Sequence, residues 1–367
     1  MSSKARGLAS LGNVYSDGQL SHKNLIINGA MQVAQRGTSF TDFGTSDAYA
    51  TVDRWMFDVT SASTGRATIE QVQDGPSGFA SSVKISCTAT DTDIAAGERL
   101  QIQQRLEGQD LQRIGKGTSE AKPLTVSFYV KANAAFTYAL ELYDADNNRQ
   151  ITKLFNTTTQ WQRVELTFPA DTVGTFDNNN ALSMYLIFTI HAGSTYTSGT
   201  LNSDAWAAAV SADRAAGIDS FYSSTSNYLQ ITGVQLEVGD TATPFEHRSY
   251  GDELARCQRY YHRVQGNASD QTELGMGYAF GTASVVISYT YPTTMRSPPT
   301  ISESGVECLT AGVSFTDASL NVTVDSSIHK VAIGFGADAG APFTANRVCR
   351  GRLVNDATAF LAFDAEL

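Results

Sequence analysis

No stretch of this sequence concentrates positive charge. Its 26 Lys and Arg are outnumbered by 37 Asp and Glu, a formal net charge of −11 over 367 residues. Phosphate binding needs clustered cations, so nucleic acid and anionic membrane are not expected as partners. The most basic neighbourhood, Arg256, Arg259, His262 and Arg263, is interrupted by Tyr260 and Tyr261 and reads as a solvated or interface face. Cysteine is scarce too. Cys87, Cys257, Cys308 and Cys349 stand far apart, with no CxxC pair and no histidine at zinc spacing, which leaves buried free thiols. No apolar run reaches the length of a signal-peptide core or a membrane span, so the chain is expected to be made in a cytoplasm and not inserted in a membrane.

Signatures of catalysis are also missing. There is no HExxH, no GxSxG and no Gly-rich phosphate loop, and the five histidines are scattered without metal spacing. A formal SxxK, Ser81 to Lys84, lies in the strand-like SSVKISC, where residues three apart face opposite sides. In DADNN, Asp144, Asp146 and Asn148 match positions one, three and five of a calcium loop. Arg149 stands where the Gly belongs and Phe155 where the Glu belongs, so the segment reads as a hairpin turn. Carboxylate pairs for glycoside hydrolysis meet only in the fold; Asp144 with Asp146 and Asp53 with Asp58 are the pairs on offer. The expectation is a non-enzyme without metal or other cofactor.

Charged residues make up only 17% and apolar ones 42%, while Thr, Ser, Asn and Gly are plentiful, as suits a β-rich protein with neutral-polar strand faces. The length exceeds one core, and the pattern divides accordingly. Residues 1–23 are small and polar and read as an arm that orders against something else. Residues 24–248 hold ten short strand-like runs: NLIINGAMQVAQ, YATVDRWMFDV, GRATIEQVQ, SSVKISCTA, ERLQIQQRLEG, PLTVSFYVKA, FTYALELYD, QWQRVELTF, ALSMYLIFTIHA and YLQITGVQLEV. In PLTVSFYVKA, Leu124, Val126, Phe128 and Val130 share one face, and Thr125, Ser127, Tyr129 and Lys131 the other. Such runs, separated by turn chemistry, predict an all-β, two-sheet antiparallel sandwich of jelly-roll type.

The insert LNSDAWAAAVSADRAAGIDSFYSS, residues 201–224, breaks the rhythm; Ser203 is placed to cap an alanine-rich short helix there, the alternative being a long loop. Residues 249–264 predict a linking helix on which Leu254, Cys257 and Tyr261, at i, i+3 and i+7, form one apolar stripe. Too short to stand alone, the helix must pack on something. A C-terminal β domain, 265–367, follows; Pro292 and the Pro298-Pro299 pair cut its strands, GFGADAGAP makes a turn, and the terminal FLAFDAEL is strand-like. Among aromatics, Trp55 and Trp161 alternate with polar neighbours and read as core. Trp206, Tyr196 and Tyr222, in or beside the insert, are the candidates for stacking on a sugar ring.

Two resemblances follow. Through PLTVSFYVKA, QWQRVELTF and YLQITGVQLEVG, residues 24–246 resemble a carbohydrate-binding-module jelly roll of the galactose-binding-like kind. That family usually carries an Asp before the Val-Gln-Leu, often tied to a structural calcium; Ile231, Thr232 and Gly233 stand there in this chain. NLIINGAMQVAQRGTSF, YATVDRWMF, LEVGDTATPFEHRSYGDELARCQRYY, YPTTMRSPPT and FLAFDAEL are similar to a group of bacteriophage virion proteins, mostly tail fibres and related appendages. This second resemblance implies a structural virion protein. It would be a homotrimeric tail fibre, docked to other virion proteins through its N-terminal arm, burying the helix stripe at a three-fold interface and contacting host-surface polysaccharide. A head fibre, head decoration or tail-tip protein without glycan binding is the alternative. A depolymerase is a third reading, but those usually carry a periodic β-helix, and no repeat of fixed period is present.

Overall fold

The alternation in PLTVSFYVKA is realised as strand β6 (Leu124–Ala132), with Leu124, Val126, Phe128 and Val130 all in the core. The computed structural model of the chain describes residues 22–60, 63–282, 284–310, 313–316, 327–336 and 343–367. The arm expected over 1–23 falls outside these up to residue 21, as do residues 337–342 of the Gly-rich turn. The described residues divide into two compact units, one reaching Tyr250 and including Leu367, the other Gly251–Glu366.

The first unit is a sandwich of two six-stranded sheets. One runs β1 (Ser39–Phe43), β3 (Arg66–Val72), β4 (Ser82–Ala89), β12 (Tyr228–Val238), β6, β9 (Gln162–Phe168). The other runs β11 (Ala207–Ala208), β8 (Arg149–Asn156), β7 (Thr137–Asp144), β10 (Leu182–Ala192), β5 (Arg99–Glu107), β2 (Met56–Val59). The chain passes repeatedly between the sheets, as in a jelly roll, and one core fills the space between them. Trp55 is fully buried there, its Nε1 donating to Asn28 O at 3.2 Å. The turn at DADNN closes the β7–β8 hairpin, Asp144 opposite Arg149.

Most runs expected as strands form them; NLIINGAMQVAQ does not. Asn28 and Met31 take left-handed backbone (φ 56° and 55°), and the Asn28 amide donates to Val33 O and Asp53 O, holding an irregular segment whose Ile26, Met31 and Val33 are core. β12 bulges between Thr232 and Gln235, with Gly233 at φ 63°; a Cβ there would lie 2.8 Å from the Phe79 ring. After β12 the chain folds back: Thr243 donates to Glu237, and Arg248 donates to Asn24 O and Ile26 O. Thr243 and Pro244 thus turn the chain back onto the sandwich.

The second unit opens with α2 (Tyr250–Gln258), counting as α1 the single turn Ser194–Thr197. The linking helix is shorter than 249–264, and Tyr261 is not on it. Tyr261 begins β13 (Tyr261–Gln265), which pairs with β21 (Phe360–Asp364), in turn paired with β16 (Thr300–Ser304). Tyr-Tyr-His-Arg-Val favours a pleated partner over a further helical turn, and β21 provides one. A six-stranded sheet, β18 (Val313–Thr316), β17 (Val306–Thr310), β20 (Val348–Leu353), β14 (Thr272–Ala279), β15 (Ser284–Thr290), β19 (Lys330–Gly336), completes a second, sandwich-like β core.

Candidate functional site

Polar side chains gather on the outward face of the sheet containing β5. That strand sends Leu100, Ile102 and Leu106 into the core and Arg99, Gln101, Gln103 and Arg105 out of it. Register carries the outward row sideways. On β10, Tyr185, Ile187 and Thr189 stand opposite Arg105, Gln103 and Gln101; on β7, Tyr143 and Glu141 stand opposite Tyr185 and Ile187; on β2, Asp58 stands opposite Gln101. Asp58, Arg99, Gln101, Gln103, Arg105, Tyr143, Tyr185, Ile187 and Arg214 line an open cavity of about 210 Å3.

The side chains of this cleft hold one another. Arg99 grips Asp58 through Nε (2.7 Å) and Nη2 (3.1 Å), Gln103 Nε2 donates to the same carboxylate at 3.1 Å, and Gln101 donates to Thr189 Oγ1 at 3.0 Å. The hydrogen bond to Asp58 raises the Arg99 pKa beyond its ordinary value, so that cation is permanent. Arg214 makes a fork onto the fully buried Glu141, Nε to Oε1 and Nη2 to Oε2 both at 2.9 Å. Burial pushes the Glu141 carboxyl up, opposed by the Arg214 charge. The two tyrosine rings meet edge to face at 5.8 Å, with Arg214 over Tyr143 at 5.0 Å and Arg105 over Tyr185 at 5.5 Å. Two phenol rings thus stand beside amides, guanidinium groups and carboxylates already oriented on rigid strands. Such an arrangement can bind a polyhydroxylated, partly apolar molecule, the rings meeting its C–H faces and the polar groups its hydroxyls.

The residues that sequence reasoning singled out lie mostly elsewhere. Tyr222 is fully buried in the core, against His191 at 5.1 Å, and so cannot stack on a ligand. Trp206 packs partly buried on the core, and its Nε1 donates to Pro169 O at 2.9 Å. Tyr196 comes nearest: Arg99 Nη1 donates to its hydroxyl at 2.8 Å, which ties it to the cleft through that arginine. The alanine-rich insert forms no helix capped by Ser203; it holds the two-residue β11 and two 3-10 turns, Ser211–Asp213 and Phe221–Ser223. Of the carboxylates offered for hydrolysis, Asp58 is in the cleft, Asp53 is buried and accepts from Gln35, and Asp144 is buried against Lys116. Trp161, expected in the core, is half-buried and donates to Asp74 at 3.2 Å. On α2 and beyond, Cys257 and Tyr261 are buried within the single chain and Leu254 is half-buried. His262, counted in a basic face, is buried against Tyr289 and Phe363. The cleft's own residues carried one signal, the polar row Arg-x-Gln-x-Gln-x-Arg in ERLQIQQRLEG.

No family model matches the chain, and no curated protein does. Solved structures include a family 61 carbohydrate-binding module in complex with β-1,4-galactotriose, covering 59% of this chain and 99% of its own at 10% identity, TM-score 0.31. A family 11 module from Clostridium thermocellum, with a mixed-linked β-1,3-1,4 tetrasaccharide, covers 56% and 97% at 12% identity, TM-score 0.30. The enzymatically active domain of tailspike protein 4 of bacteriophage CBA120 covers 59% of this chain and 21% of its own at 12% identity, TM-score 0.29.

Proposed function

We propose that the first unit binds a glycan in the cleft across β2, β5, β10 and β7, and that the protein is a structural component of a bacteriophage virion, a trimeric tail fibre contacting host-surface polysaccharide. The cleft carries the first part: Tyr143 and Tyr185 beside Gln101, Gln103 and two guanidinium–carboxylate forks, all on strands whose other face is core. The reading is binding and not hydrolysis, because Asp58 and Glu141 are both committed to arginine forks. The virion role rests on the sequence resemblance, and the trimer on that role. A contact surface for self-association is available in the second unit, where Met276, Tyr278, Phe280 and Val348 are exposed together, Tyr278 opposite Val348 and 4.6 Å from Phe280.

Binding of the full chain to an array of bacterial surface polysaccharides tests the cleft. Retention of one glycan class, weakened at least tenfold by Tyr185→Ala and by Gln103→Ala, is the expected outcome. Retention that ignores both substitutions places the glycan elsewhere. Light scattering after size exclusion tests the trimer; a clean monomer at micromolar concentration overturns it, and Met276→Ser with Phe280→Ser is expected to dissociate it without unfolding. Immunogold labelling of the virion separates a tail fibre from a head decoration.

A further inference from the structure

A second cluster lies inside the sandwich, apart from the cleft-lining groups. Asp91 follows β4 in one sheet; Glu98 precedes β5 and His191 ends β10 in the other. His191 reaches the interior because of a bulge. Thr189 stands opposite the outward Gln101, but one extra residue in β10 sets His191 opposite the core residue Leu100. All three side chains are buried, at 3%, 2% and 0% exposure, and one potential ligand atom from each lies within 4.8 Å of the others. Glu98 Oε2 and His191 Nε2, 3.7 Å apart, have no hydrogen-bond partner. Two polar atoms this deeply buried without partners are costly unless something sits between them.

The surrounding groups already orient the three. Asp91 Oδ2 accepts from Ser63 Oγ at 2.9 Å and Thr64 N at 2.8 Å, and His191 Nδ1 meets Ser220 Oγ at 2.8 Å. A proton on Nδ1, donated in a hydrogen bond to Ser220 Oγ, leaves the Nε2 lone pair aimed at Glu98, as in a metal-bound histidine whose other ring nitrogen is held by a hydrogen bond. We propose that Asp91, Glu98 and His191 form a site for a first-row divalent transition metal of the zinc class. One imidazole and two carboxylates suit zinc; calcium prefers six to eight oxygens, and this site offers a nitrogen and few donors. Two carboxylates and a neutral imidazole balance the dication. The ion would tie the end of one sheet to the other, next to Arg99 of the cleft.

The test uses the full chain, stripped with chelator, reloaded with zinc and desalted, with bound metal measured by mass spectrometry and affinity by competition with a chromophoric chelator. One zinc per chain is expected. His191→Gln and Glu98→Gln should each weaken it by more than about 100-fold, since changes behind the ligands alone cost about 10- to 100-fold, the range expected for Ser220→Ala. His329→Ala, at an exposed histidine of the second unit, should change nothing. Absence of retained zinc in the wild type, or equal retention in His191→Gln and Glu98→Gln, overturns the proposal. Glu98→Gln preserves shape and guards against a variant that fails to fold. The cobalt form of the wild type adds a readout without mutation: visible d–d bands that a histidine ligand in a closed site gives, and whose absence also overturns the proposal.

Discussion

Acid should loosen the second unit through one histidine. His262 on β13 is 7% exposed, stacked on Tyr289 and Phe363 with centroids at 5.9 Å from each, and its Nε2 meets Tyr289 Oη at 2.6 Å. Burial lowers its pKa from 6.5 to about 4. Between those values the unfolded chain binds a proton that the folded chain refuses, so stability rises with pH. The contribution is fully present above about pH 6.5 and is lost as pH falls through about 4. At roughly 1.4 kcal/mol per pH unit the ceiling is about 3 kcal/mol, and about 2.5 kcal/mol should be gone by pH 4.5. Amide hydrogen exchange, corrected for its intrinsic pH dependence, reads the opening free energy of Tyr261–Gln265 and Phe360–Asp364 at pH 7 and 4.5. His262→Gln removes the titrating group, so its acid loss in those strands should be smaller by that amount, whatever its stability at pH 7. Equal losses in variant and wild type would refute the reasoning.

Other outcomes follow from single contacts. Arg214→Ala strands the buried Glu141 carboxylate and should cost about 3 kcal/mol or more in urea denaturation followed by tryptophan fluorescence; an unchanged midpoint would mean Glu141 is held neutral. Gly65→Ala puts a Cβ 2.4 Å from the buried Tyr222 ring, and about 1–3 kcal/mol of overpacking should appear as a lower melting temperature. Phe128→Ala empties the centre of the first core, where Phe128 meets Phe155 and Phe188 at 5.0 Å, and should cost about 3–5 kcal/mol in the same denaturation assay. Tyr261→Asp puts a charge at a buried position of β13 and should destabilise that strand in the monomer, visible by loss of its exchange protection, while Leu254→Asp, at a half-buried position, should be milder.

Strands were legible wherever period-two alternation ran for several residues, as in β5, β6 and β12, because one face of each is core. The insert was not. Its alanines favour helix, but a dozen residues make a marginal one, and Ala207 and Ala208 pair instead with Gln150 and Arg149 while Trp206 is pinned to Pro169. The cleft was half legible. Arg99, Gln101, Gln103 and Arg105 were visible as a row, but Tyr143, Tyr185 and Arg214 join it only through sheet order, which local pattern does not encode. The Asp91, Glu98 and His191 cluster had no sequence signal at all, since its members span both sheets and the last depends on a one-residue bulge.

That bulge gives β10 two separate jobs along one backbone. From Tyr185 to Thr189 its odd-numbered residues face away from the even-numbered Leu186 and Phe188 that hold the sheets together. On the proposed reading of the cleft, a library at Gln101 and Gln103 of β5 and Tyr185, Ile187 and Thr189 of β10 would vary ligand preference while the inward faces of both strands stay unchanged. Deleting Ile190, by contrast, would close the bulge: His191 would follow Thr189 directly and still face inward opposite Leu100, so the strand would lose one core side chain and its irregular end while keeping the imidazole inside.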